Sequence, residues 1–182
     1  EGAHPRLKEA ASICEAAGIL NTPQGSNTLS ALATATHSLG DPVTAVELHE
    51  KGLAILRNLD ALQNPMGAKQ LNELATAKRL AGDVSGAHDA NTECLAILNM
   101  TASYNTHKGA EAERELGGIL AAKLQTELAT AAYARSLGLL HATSSYETFG
   151  GLKLLVEKGR HELLAEKDKG RALETLKEAL RV

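Results

Sequence analysis

Apolar residues recur at helical spacing on both sides of a short turn near residue 40. One apolar stripe runs from Leu29 to Thr36, and a second runs from Ala45 to Leu56. Between them stands Gly40-Asp41-Pro42, in which glycine suits a helix C-terminus, aspartate suits an N-cap and proline suits the first turn of the next helix. The pattern therefore predicts two amphipathic helices joined by a tight turn.

The same ten-residue frame occurs twice, as LATATHSLGD from Leu32 and as LATAKRLAGD from Leu74. With Ala45 as an anchor, we find equivalent positions that carry Ala, each followed eight residues later by Leu. The alanines are Ala45, Ala87, Ala132 and Ala172, and the leucines are Leu53, Leu95, Leu140 and Leu180. A third LATA, at 128–131, is out of phase in this register, and we interpret it as a chance match.

The recurrence predicts one array of helix pairs over residues 1–182. The third repeat lacks Gly-Asp, and we place its turn near Gln125 to Leu128 on the register alone. The predicted segments are a half repeat at 7–20 and full repeats at 27–60, 68–101, 111–146 and 150–181.

Composition supports an all-α fold, because 43% of the residues are hydrophobic and only 2% are aromatic, so that the core must consist of closely packed Leu and Ala. The net charge of −3 comes from interspersed charges without a basic stripe, which argues against nucleic acid. No apolar run approaches the length that a membrane helix needs, so we predict no membrane span. The opening EGAHPRL lacks an initiator Met and an apolar signal segment, and we expect a mature form or an excerpt of a longer protein.

The stretch LGDPVTAVELHEKGLAIL, with Gly-Asp at the turn and Ala five residues after the glycine, resembles the tetratricopeptide repeat. The repeat interval in this chain is longer than that of the standard motif and is similar to that of kinesin light chain repeats. Thr36, Lys78, Lys123 and Leu163 stand where the family has a large aromatic residue in the first helix. The resemblance implies a right-handed α-solenoid whose first helices line a concave protein-binding surface.

The resemblance also implies which positions of each first helix face that concave surface. Their polar and cationic character fits an extended peptide, with acidic side chains met by Lys69, Arg79 and Arg114. A solvated helix face is the alternative. The predicted groove residues are Asn27, Ser30, Thr34, His37, Lys69, Asn72, Thr76, Arg79 and Arg114.

Two fragments imitate the zinc-protease motif HExxH, HEKGL from His49 and HELLA from His161, but neither has the second histidine at the required spacing. Cys14 and Cys94 stand among apolar residues and are interpreted as buried hydrophobes. We predict no metal, no cofactor and no enzymatic activity. Two functions stay open: a peptide-binding adaptor, and a structural subunit of a larger assembly, which the half repeat at the start and the uncapped last helix favour.

Overall fold

The computed structural model describes residues 3–165 and 167–181, and all regular structure in these ranges is α-helical, as the sequence predicts. None of the helices in these ranges is both long and apolar enough to cross a membrane. The helices are α1 Ala3–Ala16, α2 Pro23–Ser38, α3 Pro42–Asn58, α4 Pro65–Leu80, α5 Val84–Met100, α6 His107–Ala122, α7 Thr126–Ala142, α8 Phe149–Leu164 and α9 Lys169–Ala179.

The helices form two compact units, residues 1–97 and 98–182, with the boundary inside α5. In the first unit α2 packs on α1, α3 and α4, and α3 also packs on α4. In the second unit α6 packs on α7 and α8, α7 packs on α8, and α8 packs on α9. Each unit thus brings two first helices of consecutive pairs into contact, α2 with α4 and α6 with α8.

Side-chain caps explain where several helices begin. Thr22 and Asn64 accept hydrogen bonds from backbone N–H groups of the first turns of α2 and α4, whose first residues are Pro23 and Pro65. Asp41, the aspartate of the predicted Gly-Asp turn, accepts the N–H of Thr44 at 3.0 Å. These bonds satisfy N–H groups that have no partner within the helix.

The repeat has a more regular period in the structure than in the predicted register. The first helices of the pairs, α2, α4, α6 and α8, begin at evenly spaced positions along the chain. The third residue of each is glycine, and a Cβ there would lie 1.8 to 2.0 Å from the carbonyl oxygen five residues earlier. Because that oxygen belongs to the backbone, the linker can follow this path only if the glycine is kept. These glycines are Gly25, Gly67, Gly109 and Gly151.

The predicted anchor of the third repeat, Ala132, is wrong by three residues. The break predicted near Gln125 is confirmed, because α6 ends at Ala122 and α7 begins at Thr126. Ala129 is therefore the fourth residue of its helix, as Ala45 is in α3. Ala129 and Ala132 lie about one helical turn apart and both are fully buried, so the apolar pattern does not distinguish them.

The third turn is hard to recognise in the sequence because Leu124 stands where the first two turns have glycine. Gly40 and Gly82 have φ angles of 89° and 92°, and Leu124, at the matching position of the next pair, has a φ of 58° with its side chain 87% exposed. A side chain in this left-handed region costs about 1 kcal/mol. We therefore expect Leu124→Gly to raise the urea midpoint of unfolding and Gly82→Leu to lower it. A lower midpoint for Leu124→Gly would contradict this account of the turn.

The first helix also differs from its prediction, since α1 spans Ala3–Ala16 rather than 7–20. Gly18, with a φ of 68°, ends it. The N–H of Gly18 bonds to the carbonyl of Glu15 and the N–H of Ile19 to that of Cys14, which is the Schellman pattern of a helix C-terminus.

Small residues lie where the helices cross. In the first unit Ala33, Ala45 and Ala77 form one buried cluster. In the second unit a Cβ on Gly117 would lie 2.6 Å from the ring of Tyr133, so Gly117 is a close helix contact. These small residues allow the helix backbones to approach closely. Larger side chains at the same positions would overpack the contact and shift the backbone.

Candidate functional site

A groove lies between α2 and α4 in the first unit, with a cavity of about 440 Å³. Four predicted groove residues line it, together with four residues that the prediction did not name. The predicted ones are Asn27, Ser30, Thr34 and Lys69, and the others are Ala31, Met66, Gln70 and Glu73.

A hydroxyl and a carboxylate form the base of this groove. The Ser30 hydroxyl donates a hydrogen bond of 2.7 Å to Oε2 of Glu73. Nζ of Lys69 lies 2.9 Å from Oε1 of the same carboxylate, and the two residues are one turn apart on α4. Ser30 is buried, the Glu73 side chain is 22% exposed and the Lys69 side chain is 54% exposed. Glu73 is thus the deeper of the two charges in the groove.

A second set of polar contacts fixes the groove wall. Gln70, almost fully buried, donates from Nε2 to Oδ1 of Asn27 at 2.9 Å. Its Oε1 lies 3.0 Å from the buried hydroxyl of Ser26, which donates to the carbonyl oxygen of Gly52 at 2.9 Å. Because Gly52 has no side chain, α3 can approach this cluster closely, as a Cβ there would lie 3.2 Å from the carbonyl oxygen of Ser26. The network joins α2, α3 and α4 beneath the groove.

His49 lies behind the groove base and is 2% exposed. Its Nδ1 is 3.5 Å from the Ser30 hydroxyl. Burial lowers the pKa of His49 to about 4; His37 and Lys69 act in the same direction, and Glu73 opposes them. The imidazole is therefore neutral at neutral pH and places no positive charge under Glu73.

The other predicted residues of the first unit do not line this groove. His37, Asn72, Thr76 and Arg79 are partly buried on α2 and α4. The Thr76 hydroxyl donates to the backbone carbonyl of Asn72 at 3.1 Å. Within the described residues, the buried Oδ1 of Asn72 makes no hydrogen bond.

Arg114 belongs to the second unit, where it is 6% exposed. Its Nη1 lies 2.7 and 2.8 Å from the two carboxylate oxygens of Glu157, so that α6 and α8 are joined by an ion pair. A second carboxylate, that of the fully buried Glu115, lies 3.7 Å from Nη2 of Arg114. The guanidinium is thus held by carboxylates of its own unit.

One signal in the sequence could have found Glu73. Glutamates recur at the interval of the first helices, at Glu73, Glu115 and Glu157, once the register is set by the glycines near the helix starts. The other additional groove residues, such as Met66 and Gln70, carry no signal of this kind, because the matching positions hold unlike residue types.

The two histidines of the HExxH-like fragments have structural partners. His49 contacts Ser30, while Nε2 of His161 lies 3.0 Å from the Thr130 hydroxyl and its ring packs at 5.6 Å from that of Tyr133. Among residues 3–165 and 167–181 no three His, Cys, Asp or Glu side chains are grouped so as to hold a metal ion. Of the two cysteines, Cys94 is buried as predicted, whereas Cys14 is only partly buried.

Comparison with known proteins gives likeness in structure. No protein-family model and none of the curated proteins match the chain in sequence. A crystal structure of nearly identical TPR-like repeats of a kinesin light chain-like protein from Podosopora anserina superposes with a TM-score of 0.73 at 22% identity, over 96% of this chain and 82% of that one.

Two further structures agree. BtubC from P. vanneervenii gives a TM-score of 0.74 at 18% identity, over 88% of this chain and 64% of that chain. MamA gives 0.60 at 18% identity, over 96% of this chain and 85% of that chain. The chain therefore has the all-α helix-pair fold of TPR-like repeat proteins, similar to kinesin light chain-type repeats.

Proposed function

We propose that the chain is a non-catalytic interaction scaffold that binds an extended peptide segment of a protein partner in the groove between α2 and α4. The observation that carries this proposal is the groove itself, whose polar base and wall are held by hydrogen bonds of the buried residues Ser30 and Gln70. Side chains fixed before binding lose little rotamer freedom on binding, which favours affinity.

The composition of the groove suits a peptide. Asn27, which Gln70 holds in place and which is only partly buried, offers its amide N–H to a peptide backbone, while Met66 and Ala31 are exposed and offer apolar contact. A binding site that mixes a few placed polar groups with apolar surface recognises both the main chain and a side chain of its ligand.

Blocking the groove tests the proposal. A random linear-peptide display library is selected on the protein, and the affinities of the selected peptides are measured by fluorescence anisotropy. We expect Ala31→Trp, which places an indole in the groove, to weaken binding at least about tenfold, a loss of about 1.4 kcal/mol. Because Ala31 is exposed, the melting temperature should be nearly unchanged.

Ala54→Trp is the matched control, since Ala54 is also exposed but lies on α3 and does not line the groove. It should bind the selected peptides as the unchanged protein does. Equal binding by both variants would remove the groove from the proposal and leave the alternative of a structural subunit, which predicts no effect of either tryptophan on peptide binding.

A further inference from the structure

The second unit contains an arginine where the first unit has its groove. The first helices α2 and α6 are separated by the same stretch of chain as α4 and α8. Counting from the helix starts, Ser30 of α2 corresponds to Arg114 of α6, and Glu73 of α4 corresponds to Glu157 of α8. The two units thus present the same carboxylate at the same backbone position, with different residues facing it.

In the second unit the arginine satisfies the carboxylate. Nη1 of Arg114 contacts both oxygens of Glu157 at 2.7 and 2.8 Å, and the arginine is almost fully buried. The space between these two first helices therefore accommodates a guanidinium against a glutamate. A charge-assisted contact of this kind is among the stronger hydrogen bonds in proteins.

In the first unit the shorter Ser30 leaves that space open. Its hydroxyl reaches Oε2 of Glu73 at 2.7 Å, and the cavity of about 440 Å³ lies in front of the pair. A carboxylate has about four acceptor positions, so Glu73 can accept further donors beside Ser30 and Lys69.

Lys69 does not take the place of the missing guanidinium. Its side chain is more than half exposed and pairs with Glu73 along one helix, an arrangement that contributes little energy. The second unit has a lysine at the same position, Lys153, one turn before Glu157, and still holds an arginine on that glutamate. A lysine on the same helix is therefore compatible with a second cation.

Charge and shape around Glu73 also favour a cationic ligand. Residues 1–97 carry seven Lys and Arg against eleven Asp and Glu, and the neutral His49 behind the groove adds no positive charge. Met66 and Ala31 offer apolar surface on which the methylene groups of a long cationic side chain can pack.

We propose that the groove between α2 and α4 receives an arginine side chain of the partner, whose guanidinium pairs with Glu73 as Arg114 pairs with Glu157. The inference rests on the proposed peptide-binding function and names the side chain that the groove selects. It replaces the acidic partner expected from Lys69, Arg79 and Arg114 with a basic one.

The test uses three small probes, N-acetylarginine amide, its uncharged analogue N-acetylcitrulline amide and N-acetylglutamate amide, titrated into the ¹⁵N-labelled protein. We expect saturable shifts of the Ser30 and Glu73 amide signals with the arginine probe and binding at least about tenfold weaker with citrulline. Glu73→Gln should remove the preference for arginine over citrulline. Equal affinities for these two probes, or tighter binding of the glutamate probe, would overturn the proposal.

A second variant transfers the arrangement of the second unit to the first. Ser30→Arg places the protein's own guanidinium near Glu73, so it should abolish binding of the arginine probe and keep or raise the melting temperature. In contrast, Thr28→Arg, on α2 outside the groove, should leave binding unchanged. Undiminished probe binding by a folded Ser30→Arg protein would contradict the proposed location.

Charge reversal separates the acidic partner from the basic one. Lys69→Glu with Arg79→Glu should weaken a peptide that uses these cations at least about tenfold. A peptide that places arginine on Glu73 should bind this double variant at least as well as the unchanged protein. One result would separate the two proposals: selected peptides that contain no arginine, that bind Ala31→Trp weakly and that also bind the charge-reversed variant weakly. The groove function would then stand, and the arginine proposal would fail.

Discussion

Gly109→Ala should lower the free energy of unfolding of the second unit by about 3 kcal/mol. A Cβ at this position would lie 1.8 Å from the carbonyl oxygen of Tyr104, a backbone atom that can move away only if the linker before α6 changes its path. The loss should be visible as a lower urea midpoint, with the far-ultraviolet circular dichroism still helical before the transition.

Gly138→Ala is the control in the same unit. Gly138 lies within α7, and a Cβ there would meet no atom within 4 Å. Alanine is the better helix former, so this variant should gain about 0.5 to 1 kcal/mol. A loss for Gly138→Ala as large as that for Gly109→Ala would mean that the close carbonyl contact is not the cause.

Acidification should destabilise the first unit through His49. The pKa of His49 falls from 6.5 to about 4 on folding, chiefly because the ring is buried. Between these two values the unfolded chain binds more protons than the folded one, so stability decreases as the pH falls from about 6.5 towards 4. The shift corresponds to a loss of about 3 kcal/mol on going from neutral pH to the folded-state pKa.

The charged groups that act on His49 are Glu73, His37 and Lys69. His49→Asn isolates the effect. Asn91 occupies on α5 the position that His49 occupies on α3, and it is completely buried there, so an asparagine is compatible with this position of the fold. Urea unfolding at neutral pH and at two acidic pH values measures this. The free energy of unfolding should decrease less on acidification for His49→Asn than for the unchanged protein. If the free energy of unfolding depended on pH in the same way for the two proteins, His49 would have the same pKa in the folded and unfolded states, contrary to this prediction.

The turn chemistry and the helical pattern were sufficient to predict the helix pairs, and the resemblance to the tetratricopeptide repeat supplied the fold. Gly40-Asp41-Pro42 gives a helix end, a cap and a helix start in three residues, and the structure has all three. The third repeat was misplaced because Leu124 adopts a conformation that usually indicates glycine, and because Ala129 and Ala132 are both buried. A single chain does not reveal that a leucine has been forced into a left-handed turn.

Part of the groove could be predicted, and part could not. The positions that face the concave surface in tetratricopeptide repeats identified Asn27, Ser30, Thr34 and Lys69. Glu73 was missed because it stands one turn after Lys69 on the same helix, at a position that the family pattern does not assign to the groove. A charged residue can bind a ligand only if its own protein does not already pair with it. Arg114 is buried against Glu157, and this tertiary contact cannot be predicted from helical spacing alone.

The four first helices have one position that is always glycine, the third, and another position, five residues later, that varies. Gly25, Gly67, Gly109 and Gly151 fix the path into each helix pair, whereas the residues five positions later, Ser30, Asn72, Arg114 and Val156, differ in size and charge. One substitution at the variable position therefore changes whether the glutamate of the other first helix is paired within its unit, as with Arg114, or faces an open groove, as with Ser30. Duplication of a repeat followed by such a substitution would turn a space filled by the protein's own arginine into an open one, or the reverse, with the fold unchanged.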